Sequence, residues 1–181
     1  MIQQLVPQFR KITHKKYVHN PLVNKKSSSQ LVFELLKVLG YIKSAVDEGA
    51  KVECGGERVS LEGELSGGQY LSPCVLTNCH DNMTAVREEI FGSVAIVLPF
   101  DSEEEVIRRA NDTAFGLGGG VFTQNLNRAH RVSNALDAGS VWINTFNLTP
   151  SEVPFGGFKM SGIGRENGLA AIEHFTQTKT M

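Results

Sequence analysis

The stretch PFGGFKMSGIGREN, residues 154–167, contains four glycines together with two cations, Lys159 and Arg165. This composition is typical of a loop that holds an anion. A Walker loop needs its lysine directly after a glycine and before Ser or Thr, whereas Lys159 lies between Phe158 and Met160. A dinucleotide fingerprint fails as well, because the glycine after Gly162 and Gly164 comes one residue too late. The residues therefore predict a structural loop whose glycines permit close backbone approach and positive φ.

A second stretch, EEIFG at residues 88–92, combines two carboxylates with an aromatic ring. A carboxylate can accept two hydrogen bonds from the diol of a ribose. An aromatic ring beside it can pack on a nicotinamide. The alternative is a solvated acidic pair before a strand, and the residue types alone favour that alternative.

Three cysteines are the candidate nucleophiles: Cys54, Cys74 and Cys79. Their odd number and irregular spacing favour reduced thiols over a disulfide framework. Cys54 lies in a predicted turn and Cys74 in a predicted strand, and no paired C-x2-C spacing indicates a metal site. We therefore predict no catalytic residue and no metal ligand within these 181 residues.

The first half of the chain predicts one long helix followed by short strands. Apolar residues recur at three- and four-residue spacing over 31–51, and the helix is expected to end near Gly49. The stripe consists of Leu31, Leu35, Val38, Ile42 and Val46. KVECGG is expected to form a strand entering a turn, and QYLSPCVLTNC a strand interrupted at Pro73.

The second half alternates strands and helices. VAIVLPF, residues 94–100, and SVWIN, residues 140–144, have the apolar character of buried strands, which places Trp142 in the core. Ser102 and Glu105 form a capping box at the start of one helix, and Gly139 is expected to close the next. RENGLAAIEHF predicts a further helix. This alternation indicates an α/β fold with a largely parallel sheet and flanking helices.

Four motifs in this order resemble the aldehyde dehydrogenase family. They are EEIFGS (88–93), ANDTAFGLGGGVFT (110–123), AGSVWIN (138–144) and PFGGFKMSGIGREN (154–167). The similarity extends from about Val38 to Thr180 and implies a three-layer α/β fragment of that family's catalytic domain. VLTNC, RANDTAFGL and PSEVPF are most similar to the branch that oxidises trimethylaminobutyraldehyde, betaine aldehyde and aminoaldehydes.

The resemblance implies roles for particular residues. Glu89 matches the glutamate that binds the nicotinamide ribose, and Phe91 matches the aromatic beside the nicotinamide, with NAD or NADP as cofactor. Four residues are expected to line the substrate tunnel: Thr145, Phe146, Leu148 and Phe155. Asn144 matches a chiefly structural position. PFGGFKMSGIGREN becomes a structural turn and subunit contact, which agrees with the failure of the phosphate-loop patterns.

The family's nucleophile lies in a G-Q-x-C-like context that these residues do not contain, and its dinucleotide-binding domain is also outside them. Without a thiolate there is no covalent adduct from which hydride can leave. We therefore expect this chain alone to be inactive as an NAD(P)-dependent aldehyde dehydrogenase. The alternative is a non-catalytic interaction module. Either hypothesis favours a homo-oligomer or association with full-length subunits.

The composition bounds the remaining choices. The net charge of −1 gives no electrostatic reason to expect a nucleic-acid or membrane partner. Residues 31–181 are predicted to be the partial catalytic domain, and residues 1–30 a basic, poorly ordered segment. An acid-free basic leader is also typical of a transit peptide or a nucleic-acid-binding arm. The cytoplasm is the expected location, with mitochondria as the alternative.

Overall fold

A computed structural model describes residues 28–181, which form two compact units meeting in sequence at Pro99 and Phe100. Helix α1 begins three residues before the predicted start, and residues 1–27 of the predicted leader lie outside the described part. The first unit contains α1 (Ser28–Asp47), β1 (Lys51–Cys54), β2 (Arg58–Val59), a 3-10 turn (Gly63–Leu65), β3 (Tyr70–Leu71), β4 (Cys74–Thr77), α2 (Thr84–Arg87) and β5 (Val94–Ile96).

Helix α1 ends as predicted, close to Gly49. Gly49 has φ of 107° and donates its N–H to the Val46 carbonyl, while the Ala50 N–H reaches the Ala45 carbonyl at 2.8 Å. This paired arrangement is a Schellman motif, in which a glycine in a left-handed conformation closes the helix. The predicted stripe was wrong at its last position. Ala45 is fully buried, whereas Val46 is 44% exposed, because the inward face continues three residues after Ile42.

The core of the first unit lies between α1 and a three-stranded sheet of order β1-β4-β5. All four residues of the central strand β4 are buried, and Leu76 is completely inaccessible. β4 pairs antiparallel with β1 and parallel with β5. The prediction that VAIVLPF is buried on both faces was wrong: only Val94–Ile96 form a strand, and each is half-buried because β5 is the sheet edge.

The second unit is built around a strand-helix-strand motif. It contains α3 (Glu103–Asn111), β6 (Gly118–Val121), α4 (Leu126–Ala135), β7 (Ser140–Ile143) and 3-10 turns at Lys159–Ser161 and Leu169–Phe175. β6 and β7 pair in parallel, as strands joined by a helical crossover do. The predicted start of α3 is confirmed, since Ser102 Oγ accepts the Glu105 N–H at 3.1 Å. Glu105 reaches back to the Asp101 N–H, one residue before the N-cap.

Three predictions for this unit need correction. α4 ends at Ala135, so Gly139 does not cap it. A Cβ on Gly139 would lie 1.7 Å from the Gly156 carbonyl oxygen, so this glycine is required by close backbone approach. β7 and Trp142 are half-buried rather than core, and the last predicted helix is a 3-10 segment. The α/β class is confirmed, with parallel and antiparallel pairings in a mixed set of sheets.

Within residues 28–181, no helix combines the length and apolar character that crossing a membrane requires.

Candidate functional site

The EEIFG loop of the first unit holds Phe91 in an uncommon backbone conformation. Phe91 has φ of 55° and its side chain is 75% exposed. Its neighbours explain the turn, because Ile90 is buried and a Cβ on Gly92 would lie 2.6 Å from Val38 Cγ2 of α1. A bulky residue at positive φ is a strained conformation that the surroundings must enforce. The loop therefore anchors on both sides of Phe91 and turns the ring outward.

Helix α1 supplies two neighbours of this loop. The Tyr41 hydroxyl donates to Glu88 Oε2 at 2.7 Å, and this hydrogen bond raises the pKa of Tyr41. Lys37 Nζ lies 5.3 Å from the centroid of the Phe91 ring and 5.7 Å from that of Tyr41. Both distances are within the range of cation–π attraction. The Glu88 carboxylate is thus hydrogen-bonded to Tyr41 of α1, while Glu89 is exposed.

A cavity of about 220 Å³ borders Phe91 between α1 and β3. Its lining includes Glu34, Leu35 and Val38 from α1, and Tyr70 and Leu71 from β3. The structure thus brings Glu89 and Phe91 into one loop, as predicted. Reasoning from the sequence missed Lys37 and Tyr41. Their i, i+4 spacing, which places both side chains on one face of α1, was the available signal.

Three predicted tunnel residues of the second unit lie in the loop after β7. Thr145, Phe146 and Leu148 are all exposed, and Phe146 and Leu148 meet at Trp142. The Trp142 indole N–H donates to the Leu148 carbonyl at 2.9 Å, and its ring centroid lies 5.2 Å from that of Phe146. The indole therefore contacts the middle and the end of this short loop.

Asn144 begins this loop and has the structural role that was expected of it. Its carboxamide pairs with the backbone of Thr123, accepting the Thr123 N–H at 2.8 Å and donating to the Thr123 carbonyl at 2.9 Å. These bonds tie the carboxyl ends of β6 and β7 together. A cavity of about 410 Å³ lies at this end, where ligands commonly bind in α/β sheets. Its lining was not predicted and consists of Phe122, Thr123, Gln124, Leu126, Ala129, Ile143 and Asn144.

Phe155, the fourth predicted tunnel residue, is half-buried and lies on a separate feature. It forms a two-residue antiparallel bridge with Glu166, with N–H to carbonyl distances of 2.7 and 2.8 Å. This bridge closes the base of PFGGFKMSGIGREN. Phe155 is thus not part of the aromatic contact between Trp142 and Phe146 that lies in the loop of the other three predicted tunnel residues. The role of Phe155 in a tunnel stays a prediction, as do those of the other five site residues.

The cations of PFGGFKMSGIGREN bind the protein's own backbone. Arg165 Nη1 donates to the carbonyls of Gly157 and Gly164 at 3.1 and 2.7 Å, and Lys159 Nζ donates to the Asn111 carbonyl at 2.7 Å. A Cβ on Gly156 would lie 2.5 Å from the Gly164 carbonyl oxygen, and Gly162 and Gly164 have positive φ. The prediction of a structural loop with close glycine packing is confirmed.

Two of the three cysteine thiols, those of Cys74 and Cys79, are poor nucleophiles where they lie in this fold. Cys74 is 2% exposed, and burial raises its pKa to about 11. Cys79 is also buried, and burial raises its pKa. Nucleophilic attack requires the thiolate, which a raised pKa suppresses near neutral pH. In the described part of the chain, no three His, Cys, Asp or Glu side chains converge on a point where a metal ion could bind.

The fold and these loops define an α/β fragment with exposed, backbone-anchored loops as its candidate site. The chain matches the model of the aldehyde dehydrogenase family over residues 3–181. It therefore belongs to the aldehyde dehydrogenase family.

Similar proteins with curated names agree with this assignment. The chain is 51% identical over 186 residues to 4-trimethylaminobutyraldehyde dehydrogenase of Oryzias latipes, covering 99% of this chain and 37% of that protein. It is 60% identical over 146 residues to 4-trimethylaminobutyraldehyde dehydrogenase A of Danio rerio, covering 80% of this chain and 29% of that protein. The chain thus spans little more than a third of the length of the relatives it matches.

Among solved structures, the NAD+ complex of an aldehyde dehydrogenase from Bacillus cereus matches with a TM-score of 0.75 and 51% identity. The match covers 80% of this chain and 28% of the other. The described fold is therefore a portion of the aldehyde dehydrogenase fold.

Proposed function

We propose that this chain carries the nicotinamide-side and substrate-tunnel portion of an NAD-dependent dehydrogenase acting on aminoaldehydes of the 4-trimethylaminobutyraldehyde type. The observation that carries the proposal is the family match together with the outward-turned EEIFG loop. The names of the relatives support the substrate class. The NAD+ complex of the Bacillus cereus enzyme supports NAD as a cofactor.

In this proposal the first unit orients the cofactor. Glu89, which is exposed, accepts hydrogen bonds from the nicotinamide ribose diol. The exposed ring of Phe91 packs beside the nicotinamide, held outward by its anchored loop. When bound beside Glu89 and Phe91, the cofactor would supply the hydride acceptor for the former carbonyl carbon of the substrate. The residues of this loop fix the direction from which that carbon must approach.

The second unit selects the aldehyde. Phe146 and Leu148 are 68% and 63% exposed, and with Thr145 and Phe155 they present mostly apolar surface to a substrate. An aromatic face also attracts a quaternary ammonium group, which is the cationic part of the proposed substrate. Selection by such contacts is worth roughly 1–3 kcal/mol per well-matched group.

We further propose that these 181 residues do not oxidise aldehydes by themselves. Cys74 and Cys79 are buried with raised pKa values, and Cys54 lies at the end of β1 beside a glycine turn. A catalytic thiolate would have to come from outside these residues. An aldehyde that meets neither a thiolate nor a nicotinamide held beside it reacts many powers of ten more slowly, since positioning alone contributes about 7–11 kcal/mol.

A second candidate function, the non-catalytic interaction module, is favoured by one observation. The second unit exposes large apolar side chains: Ile163 is fully exposed, Leu169 is 84% exposed and Phe175 is 86% exposed. Exposed apolar surface of this kind is typical of association sites. In this alternative the chain binds copies of itself or full-length subunits without performing chemistry.

One experiment separates these proposals. Residues 31–181 replace the matching segment of the Oryzias latipes enzyme, and NADH formation from 4-trimethylaminobutyraldehyde is compared between this chimera and the 181-residue chain. We expect the chimera to be active and the chain to be inactive. A folded chimera without activity would contradict the enzymatic proposal. Co-purification of the chain with full-length Oryzias latipes enzyme would support the interaction module.

For the location in the cell we propose the cytoplasm, in which case residues 1–30 do not act as a transit peptide. Imaging of a carboxyl-terminally tagged chain tests this. Import that depends on residues 1–30 would favour mitochondria instead.

A further inference from the structure

Trp142 is the single tryptophan of the chain, and its indole contacts two different segments, strand β6 and the loop after β7. A Cβ on Gly118 of β6 would lie 2.9 Å from Trp142 Cζ3, so the indole lies against a glycine of the neighbouring strand. The indole N–H donates to the Leu148 carbonyl, and the ring packs at a tilt on Phe146. The glycine in β6 therefore makes room for a ring that reaches out of the sheet toward the loop.

The loop after β7 is fixed at both ends. At its start, Asn144 has φ of 54° and forms the double hydrogen bond to Thr123. At its end, the Leu148 carbonyl is held by the indole, just after Asn147 at φ of 59°. Asparagine enters the left-handed region more readily than most residues but is not confined to it, so these two positions alone do not fix the loop in one conformation. Trp142 thus supplies the tether that closes the loop.

We propose that Trp142 is a positioning residue: its indole N–H and ring fix the loop of residues 144–148 and thereby set which aldehydes the tunnel mouth accepts. This inference rests on the proposed function, in which Thr145, Phe146 and Leu148 face the substrate. Trp142 acts through Phe146 and Leu148, while its own ring is covered on one side by Gly118.

The tether is tested first in the 181-residue chain. Because Trp142 is the only tryptophan, growth of a tryptophan auxotroph on benzothienylalanine replaces one N–H by sulfur and alters no other residue. In the unaltered chain we expect NMR order parameters near 0.85 for residues 145–148 and slow exchange of the indole proton. In the sulfur analogue we expect the loop values to fall to about 0.6 or lower. Loop values already below about 0.6 in the unaltered chain would overturn the proposal.

The effect on selectivity is tested in the chimera described above, with Trp142→Phe. We expect KM for 4-trimethylaminobutyraldehyde to rise about tenfold while kcat changes by less than about twofold, with a smaller KM change for a short, uncharged aldehyde. Phe100→Leu, a change to an exposed aromatic of the same unit, is the matched control and should leave both constants unchanged.

The outcomes distinguish the two levels of proposal. An inactive parent chimera contradicts the proposed function, while the order parameters still decide whether Trp142 fixes the loop. An active chimera whose Trp142→Phe variant keeps the same KM for both aldehydes overturns the positioning role. Equal losses for both aldehydes together with a lowered melting temperature would show a purely structural tryptophan and would also overturn it.

Discussion

The two units are stabilised in different ways. The first unit has a hydrophobic core in which α1 packs on a buried central strand. In the second unit, Ala129 and Val132 are the buried apolar side chains among the described residues, while many large apolar side chains are exposed. Fully buried apolar side chains are therefore concentrated in the first unit, whereas those of the second unit, such as Val141 and Ile143, are partly buried and contribute in proportion to the area that they remove from water.

The second unit is instead fixed by close backbone approach and by polar side chains that bind main-chain atoms. Gly116 accepts N–H groups from Gly139 and Phe158 and donates its own N–H to Ser161 Oγ at 2.9 Å. Arg165 joins two carbonyls of its loop. A candidate site can therefore be stabilised either by a hydrophobic core or by hydrogen bonds to the backbone. Phe91 is anchored by a core, whereas Phe146 is anchored by hydrogen bonds.

The largest effect is expected from Leu76→Ala in the first unit. Leu76 is fully buried in β4, and removing most of its side chain leaves a cavity that costs about 4 kcal/mol. Urea unfolding followed by far-ultraviolet circular dichroism measures this loss. Phe175→Ala is the matched control, because its ring is 86% exposed and should change stability by less than about 0.5 kcal/mol. Equal losses in the two variants would contradict the contrast.

A smaller loss, about 3 kcal/mol, is expected from Gly139→Ala in the second unit. The added methyl group would meet the Gly156 carbonyl oxygen at 1.7 Å, and a backbone atom cannot move aside cheaply. Trp142 fluorescence during urea unfolding reports this unit, because the chain has no other tryptophan.

Gly40→Ala is the control for this glycine. Gly40 lies inside α1, and its Cβ would have no neighbour within 4 Å. Alanine there should stabilise the first unit by about 0.5–1 kcal/mol. A Gly139→Ala variant as stable as the parent would show that the close approach is not required.

The sequence predicted local features well. The capping residues of α3 and the glycine that ends α1 were found because their partners lie within a few residues. The break at Pro73 separates β3 from β4 as expected. Such features depend on short-range hydrogen bonding, which spacing reveals directly.

Contacts between distant segments could not be read in the same way. The sequence predicts a helix cap at Gly139, because no residue near it in sequence reveals the contact with the Gly156 carbonyl. Trp142 was placed in the core since its apolar strand hid the reach of its N–H to Leu148. The EEIFG motif predicts Glu89 and Phe91 as site residues. Lys37 is identified only by the packing of α1 beside this loop. Such contacts between distant residues depend on tertiary packing, which spacing along the sequence does not reveal.

Alkaline pH is expected to lower the free energy of unfolding of the first unit by about 2 kcal/mol. The pKa of Cys74 rises from the usual 9.0 to about 11 on folding, so the neutral thiol is favoured in the folded state. This stabilisation is complete below pH 9.0 and is lost as the pH rises through about 11. Urea midpoints between these pH values should fall more steeply for the parent than for Cys74→Ala. Parallel pH profiles would contradict the raised pKa.

The smallest effect is expected from Glu103→Gln in the second unit. Glu103 joins α3 to α4, accepting hydrogen bonds from Arg131 and Arg128. These bonds, with that to Arg131 the stronger, lower the pKa of Glu103 below its usual 4.5. The stabilisation from this carboxylate is therefore present above pH 4.5 and is lost as the pH falls below that value. Unfolding midpoints from Trp142 fluorescence should decline between pH 5 and pH 3 in the parent and decline less in Glu103→Gln.

Glu104→Gln is the matched control for this ion pair. Both glutamates lie in the first turn of α3, where each interacts favourably with the helix dipole, so this contribution is lost equally in either variant. The Glu104→Gln variant keeps the hydrogen bonds from Arg131 and Arg128 to Glu103, which Glu103→Gln alters. Because the pair is partly solvated, added salt should weaken the difference between the two variants. The same acid profile for both variants would mean that the α3–α4 ion pair adds nothing to the second unit, leaving its glycine contacts as the main support.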